Sequence, residues 1–350
     1  MSNPFELAPD AAAGFSASID VDDAVVRFFP EGSKIVTAVG HGASLWTRSA
    51  RIDVETSDAT PKSYFIKVAP GPNGRSMLEG EYHSAVDMRE VLPGFSPIPI
   101  GWGVFDSDED LAFFLQAFHD MDTEIPDMDQ LTRTLAEFHI KSEERFEELT
   151  RGRRPDGMKF GYHVTTHNGK LSQDNTWTRT WEEYFVQNMR RMLEHDEKEG
   201  GERPQEIEEL LEPLFEKVIP RLLRPMEMNG REVKPSLIHG DLWYGNTSTD
   251  HENNVPIVYD ACCFWGHNEY EIRTMRAKTR YRFGKAQQRA YLQHYPAAYP
   301  IEDFEARNAL YHLFTEETKK LVDMFPDGLE GWLSQQEAQK ESESAPEKNA

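Results

Sequence analysis

The run Leu237-Ile238-His239-Gly240-Asp241-Leu242-Trp243-Tyr244-Gly245-Asn246 constrains this chain more than any other stretch. Its apolar lead-in reads as a strand, which puts Asp241 at a strand mouth rather than on an arbitrary loop. Asn246 follows, and a second strand-like run, Pro256-Ile257-Val258-Tyr259, ends on a lone carboxylate, Asp260. The segment between them, Thr247 to Val255, suits a short hairpin. Taken singly, the pieces have plain structural readings: a turn with a capping Asp, and a strand terminator. Together, at this spacing, they point to chemistry. One Asp and one Asn suit a magnesium ion, which wants hard oxygen ligands and takes few of them from protein.

The same residue types recur at this spacing in the protein-kinase pattern H-R-D-L-x-x-x-N, with Gly240 here in place of Arg. In that pattern the Asp orients or deprotonates the attacking hydroxyl and the Asn holds magnesium. The N-terminal half supplies a counterpart. Tyr64-Phe65-Ile66-Lys67-Val68 puts Lys67 on a strand among buried-type residues. A lone lysine there is more often an edge charge that snorkels to solvent. In the kinase pattern it grips the α- and β-phosphates, paired with a Glu from the next helix. Glu79 and Glu81 both lie on that expected helix; two residues apart, they cannot share a face. Glu81 is the preferred partner and Glu79 the solvated one. Gly40-His41-Gly42-Ala43-Ser44 joins two strand-like runs just before the lysine strand and could lie over phosphates. A G-x-G is by itself an ordinary turn, and only its position raises it.

Around these motifs the chain changes character after Phe118. Before it come a short helix (Asp22 to Phe29) and five strand-like runs: Lys34 to Val39, Leu45 to Glu55, Ser63 to Val68, Gly101 to Phe105 and Leu111 to Phe118. A single longer helix, about Arg75 to Val91, interrupts them. After it come long helical patterns, with Leu131, Leu135, Phe138 and Phe146 at helical spacing. The expectation is an α+β, protein-kinase-like two-lobed fold with a small five-stranded antiparallel N-lobe and a mainly helical C-lobe. Its divisions are a loosely ordered 1–20, an N-lobe over 21–118, a C-lobe over 119–333 and a disordered 334–350. That tail has no apolar residue larger than alanine apart from Pro346, too little to offset ordering entropy.

Charge narrows the partners. Lys and Arg number 38 against 61 Asp and Glu, so 38 − 61 = −23. Such a field repels nucleic acid and anionic membrane surfaces, although a cleft inside an acidic protein can still be locally cationic. No apolar run approaches the roughly 20 residues of a membrane helix, and the N-terminus lacks a basic, then apolar, signal. Cys262 and Cys263 are adjacent and build no disulfide framework, so the expected compartment is the cytoplasm. His163 and His167 form an H-x-x-x-H pair in a Gly-, Thr- and Asn-rich segment without the metalloprotease glutamate, and read as surface residues. His239 is read as bracing the Asp241 loop, and His119 and Asp120 receive no role.

With these residues in view, the chain resembles the fructosamine kinase/ketosamine-3-kinase family, related in fold to aminoglycoside phosphotransferases. The likeness runs from about Val26 to Trp332. It rests on His239 to Asn246, similar to the family's H-G-D-L-W-x-G-N, and on Phe264-Trp265-Gly266-His267-Asn268-Glu269-Tyr270-Glu271. Gln173-Asp174-Asn175-Thr176-Trp177, with the later Trp181-Glu182-Glu183-Tyr184-Phe185, adds to it. The resemblance implies transfer of the γ-phosphoryl group of ATP, with Mg2+, to the sugar 3-hydroxyl of a fructosamine or ribulosamine, free or on protein lysines. Breakdown of the product would make this a deglycation. It implies Asp241 as base, Asn246 and Asp260 as magnesium ligands, and Lys67 with Glu81 on the phosphates. Gly40, Gly42 and Ala43 would cover them, Gln116 and Phe118 in the Leu115–Phe118 hinge would meet adenine, and Trp243 would be a platform for the sugar. A monomer is expected. Two departures stand out: Asp260-Ala261-Cys262 replaces the usual D-P-A, and the Gly40 loop lacks the cysteine through which some relatives dimerise. Rival readings are a kinase of the same fold acting on another small molecule such as a secondary metabolite, a nucleotide-binding interaction module, and a metal-dependent hydrolase.

Overall fold

The computed structural model describes residues 19–43, 47–121, 125–150, 157–276, 282–312 and 315–344. Alternating burial builds the first half. In β2 (Arg48–Glu55), Ala50, Ile52 and Val54 turn inward while Ser49, Arg51 and Asp53 are only half-buried. This period of two is what a half-covered strand requires. With β1 (Lys34–Ala43), β3 (Pro61–Pro70), β4 (Pro99–Val104) and β5 (Leu111–Ala117), β2 forms an antiparallel sheet in the order β1-β2-β3-β5-β4. Ile66, Val68, Phe113 and Leu115 share one core with Val25 of α1 (Asp23–Val26) and with Phe29. On the other face, Leu78 and Ala85 of α2 (Gly71–Val91) pack on Ala69, Ala112 and Phe114. Lys67, in step with Ala69, therefore points to the α2 side.

The second half is mainly helical. α3 (Met128–Thr150) buries Leu131, Leu135, Phe138 and Phe146. A small hairpin, β6 (His167–Asn168) and β7 (Leu171–Ser172), precedes α4 (Trp181–Gly200). α4 opens on a capping box, Thr180 with Glu183, which satisfies amides at the helix start. α5 (Gln205–Pro213) continues through a π-turn at Leu214–Val218 into α6 (Ile219–Leu223). Pro213 lacks an N–H and disturbs the α-ladder at that point. Then come β8 (Ser236–Ile238), β9 (Thr247–Asp250), β10 (Val255–Val258), β11 (Phe264–Gly266) and α7 (Asn268–Glu271). α8 (Lys285–His294), α9 (Phe304–His312), α10 (Thr315–Met324) and α11 (Gly328–Ser344) close the chain. One core joins Phe138, Trp181, Tyr184, Leu222, Ile238, Tyr291 and Leu310. No helix among the described residues is long and apolar enough to cross a membrane.

Three expectations differ from what is seen. The first helix stops at Val26 rather than Phe29, with Asp22 capping it through the Ala24 amide at 2.8 Å. Gly40 to Ala43, read as a loop, belong to β1 and pair with Arg48 to Ala50 across an irregularity between Gly40 and Gly42. Pairing satisfies their backbone groups, and a bulge flanked by glycines absorbs the extra residue. Residues 334–344, read as structureless, continue α11 to Ser344. An existing helix extends one local hydrogen bond at a time, with the nucleation cost already met. The buried Trp332, beside the Arg221 guanidinium at 5.5 Å, anchors this helix on the body. Residues 1–18 and 345–350, the rest of the two expected loose ends, lie outside the described residues.

Candidate active site

β8 delivers His239, Gly240 and Asp241 to its mouth, and the β9–β10 hairpin that follows carries Asn246 before it and Asp260 after it. The loop is held by its own polar groups. His239 Nε2 donates to the Tyr259 carbonyl (3.0 Å), leaving Nδ1 to accept from the Asp241 amide (3.3 Å). Asn246 Nδ2 donates to the Asp241 carbonyl (2.9 Å) and to its carboxylate (3.1 Å). With its nitrogen committed there, the Asn246 side chain keeps its oxygen for another partner. Burial pushes the Asp241 carboxyl above its ordinary range and nearby Asp260 adds to this; His239, Arg273 and Asn246 oppose them. Those are properties of a carboxylate placed to take a proton.

Lys67 bridges the two halves. Its Nζ donates to Glu81 Oε1 and to Asp260 Oδ1, both at 2.5 Å. Burial opposes the ammonium, but the two carboxylates outweigh it and hold the lysine charged. Burial raises Glu81, with Asp260 adding to the effect. Glu79 makes no ion pair among the described residues. Asp260 has a positive φ of 62°, a conformation that Asp tolerates, and its carboxylate remains half-exposed. Helix α2, which carries Glu81, is fixed from the other side. Ser84 Oγ accepts from the Cys263 amide (2.9 Å) and the Tyr162 hydroxyl donates to Asp87 (2.6 Å). A Cβ at Gly80 would lie 2.6 Å from the Thr165 carbonyl oxygen.

A cavity of about 290 Å3 opens between the halves, lined by Phe65, Lys67, Gln116, Phe118, Tyr259 and Asp260, with His41 at its edge. Phe118 carries the Arg51 guanidinium over its ring at 4.4 Å. Gly40 is not in this lining, while the neighbouring His41 is; what surrounds Gly42 and Ala43 beyond their strand pairing lies outside what is described. Trp243 folds over Gly245, meets Tyr244 edge-on at 4.9 Å, and stands apart from the cavity beside Gly240. His163 is exposed beside Asp87 (3.8 Å). Among the described residues, no group of three His, Cys, Asp or Glu is placed to hold a metal. The Asp260 carboxylate and the Asn246 oxygen are nonetheless hard donors on one side of the cleft. They suit a Mg2+ ion that takes its remaining ligands from phosphates and water.

Sequence reasoning passed over two residues that shape the loop. Glu271, buried in α7, accepts from the His239 amide (2.5 Å) and the Gly240 amide (3.3 Å). Burial pushes its carboxyl up, but His139, His239 and Arg273 bring it below its ordinary range. Arg273 donates to the Gly240 carbonyl (2.6 Å) and the Tyr270 carbonyl (2.9 Å). It supplies, from the 3-10 turn Ile272–Arg276 that follows α7, a cation that the sequence motif lacks beside Asp241. The available signal was Glu269 and Glu271 inside an aromatic run, where a carboxylate must find a buried partner. Gly240 itself is required: its φ is 88°, and a Cβ there would lie 2.6 Å from the Cys262 carbonyl oxygen. Gly240→Ala is therefore expected to cost about 1–3 kcal/mol in denaturant unfolding and, by shifting Asp241, at least tenfold in turnover. Unchanged values for both would contradict the loop geometry.

The sequence profile of the fructosamine kinase family matches residues 49–321. Ketosamine-3-kinase of Mus musculus is 29% identical over 296 residues, covering 81% of this chain and 89% of that protein. A crystal structure from Thermobifida fusca YX-ER1, provisionally assigned as a fructosamine-3-kinase, is similar with a TM-score of 0.60 at 21% identity, over 87% of this chain and 97% of that one. A thermostable mutant of aminoglycoside phosphotransferase APH(4)-Ia, in ternary complex with AMP-PNP and hygromycin B, gives a TM-score of 0.50 at 14% identity, over 86% and 98%. At these identities the two structures speak for the shared two-lobed kinase-like fold.

Proposed function

The chain belongs to the fructosamine kinase family, and from that premise we propose that it transfers the γ-phosphoryl group of ATP to the sugar 3-hydroxyl of a ketoamine. The observation that carries this reading is Lys67, bound at once to Glu81 and Asp260 across the cleft, beside Asp241. ATP lies in the cleft with adenine near Gln116 and Phe118 and its phosphates at Lys67. Asp260 and Asn246 would hold Mg2+, which would supply charge neutralisation at the phosphates. Phosphoryl transfer asks the protein mainly for position and charge. Asp241 orients the acceptor hydroxyl and receives its proton, while Glu81 keeps Lys67 in place. Trp243 is kept as a sugar platform for an acceptor that moves it off Gly245. Phosphate is a far better leaving group than hydroxide, so the 3-phosphate is eliminated as inorganic phosphate, and water then hydrolyses the resulting imine to the free amine and a dicarbonyl sugar. The reading places the protein in the cytoplasm as a monomer, and two buried free cysteines agree with a reducing compartment.

The test is direct. With ATP and Mg2+, fructosyl-lysine should yield one ADP per acceptor consumed, with a new phosphate on C3 visible by 31P NMR. Free fructose should react at least tenfold more slowly. ADP release independent of acceptor, or preference for an amine-free secondary metabolite, would overturn the assignment.

A further inference from the structure

Directly beside the Asp241 loop lies a second cavity, of about 280 Å3, bounded by Gly240 and Arg273 on one side and by Ser172, Gln173 and Arg191 on the other. Its floor is aromatic, with Trp181, Tyr184, Phe264 and Tyr270 among its walls. In a protein of net charge −23, no Asp or Glu among the described residues lines it. Neither arginine is neutralised within it. Arg273 binds the Gly240 and Tyr270 carbonyls and lies over the Tyr270 ring at 3.9 Å. Arg191 donates to Ser172 Oγ (2.9 Å). Among the described residues neither has a carboxylate within ion-pair distance; Asp241 and Glu271 are the acids whose fields reach Arg273. The carboxylates nearby, Asp174 and Glu194, line a wider outer cleft of about 850 Å3 that shares Ser172, Gln173 and Arg191 with this cavity.

A pocket with an apolar floor and two guanidinium groups that lack a directly paired carboxylate at its edge discriminates by charge: it repels an ammonium and welcomes a carboxylate. The geometry points to this cavity as the subsite for the part of the acceptor beyond its ketoamine nitrogen, selecting acceptors that carry a carboxylate there. This rests on the ketoamine kinase reading. With the sugar hydroxyl at Asp241, the nitrogen sits three bonds from the C3 carbon, and the carboxylate of a glycated α-amino acid follows two bonds later. That short reach leads from the Asp241 loop past Gly240 into the cavity, small enough at about 280 Å3 for both Arg273 and Arg191 to act on one carboxylate there. The carboxylate could belong to a free glycated amino acid or to an acidic residue beside a glycated peptide terminus.

Three acceptors compared at fixed ATP and Mg2+ decide it: fructosyl-glycine, fructosyl-glycinamide and fructosyl-Gly-Asp-amide. kcat/KM for fructosyl-glycine should exceed that for the amide by about tenfold or more, the scale of one charge-assisted hydrogen bond. In Arg191→Gln that ratio should fall several-fold toward one, and Arg191→Lys should restore part of it. Arg191 is exposed, so its replacement leaves the core intact. A fast Gly-Asp-amide places the natural acceptor in acidic peptides; a slow one places it among free amino acids. Equal rates for acid and amide in the unaltered protein, or a ratio that Arg191→Gln does not move, would overturn the inference and leave the kinase reading standing. Failure of all three acceptors would remove both.

Discussion

Asp241→Asn is expected to lower turnover by about 100-fold or more, the range of positioned acid–base groups, with the affinity for ATP staying close to that of the unaltered protein. The substitution keeps the shape of the loop, because an amide at 241 can still accept from Asn246 Nδ2 through its oxygen. What is lost is the group proposed to receive the hydroxyl proton. Lys67, Glu81 and Asp260, bound to one another and proposed to serve the nucleotide, are untouched, so binding of a fluorescent ATP analogue is the control. Turnover within a few-fold of normal would show that Asp241 is no base. A parallel loss of nucleotide affinity would show that it serves the ATP site instead.

The pH profile sharpens the same test. Burial, aided by Asp260, holds the Asp241 carboxyl above its ordinary range. The proposed base is therefore expected to be silenced by protonation at a higher pH than an ordinary Asp, and kcat should fall on the acid side accordingly. In Asp241→Asn the residual rate should lose this limb. The stability sign runs the other way. Between the unfolded and folded values the native state binds more protons than the unfolded one, so this group's contribution worsens as pH rises. Near neutral pH the ionised Asp241 costs stability, and Asp241→Asn should melt at the same temperature as the parent or higher. That is the exchange expected where an active site keeps a strained charge.

How much of this was legible follows from the distance in sequence over which each contact acts. Asp241, Asn246 and Asp260 converge because one hairpin carries them, and Lys67 meets Glu81 because a strand feeds directly into a helix. Both are short-range patterns that spacing can expose. Arg273 on the Gly240 carbonyl, Glu271 on the loop amides and Ser84 under the Cys263 amide join elements 31 to 179 residues apart. No local pattern encodes them. Gly40 to Ala43 were misread because G-x-G looks alike in a turn and in a bulged strand; only the partner strand decides. The helical stretch to Ser344 was misread for a different reason. Composition measures whether a segment can fold alone, and this one grows from a helix already docked through Trp332.

A larger effect, on stability this time, is expected one turn from the catalytic loop. Glu269 and Arg307 are both fully buried, joined by two hydrogen bonds at 2.9 and 3.0 Å. The guanidinium also binds the Pro300 and Ala298 carbonyls, each at 2.7 Å, and Glu269 accepts from the Ala298 amide (2.7 Å). Glu269→Gln leaves that guanidinium charged, buried and without its counter-ion. The cost of breaking such a pair is about 3–5 kcal/mol, which urea unfolding would register as a clear drop in midpoint. Replacing both partners together, Glu269→Met with Arg307→Met, removes the charge as well as its partner and should recover most of the loss. The consequence reaches the chemistry because Glu269 and Glu271 share the four-residue helix α7, and Glu271 holds the His239 and Gly240 amides. Turnover measured well below the midpoint should therefore fall in Glu269→Gln and return in the double variant. If the single variant unfolds like the parent, the pair is not the anchor of that helix, and the hold of Glu271 on the loop does not depend on it.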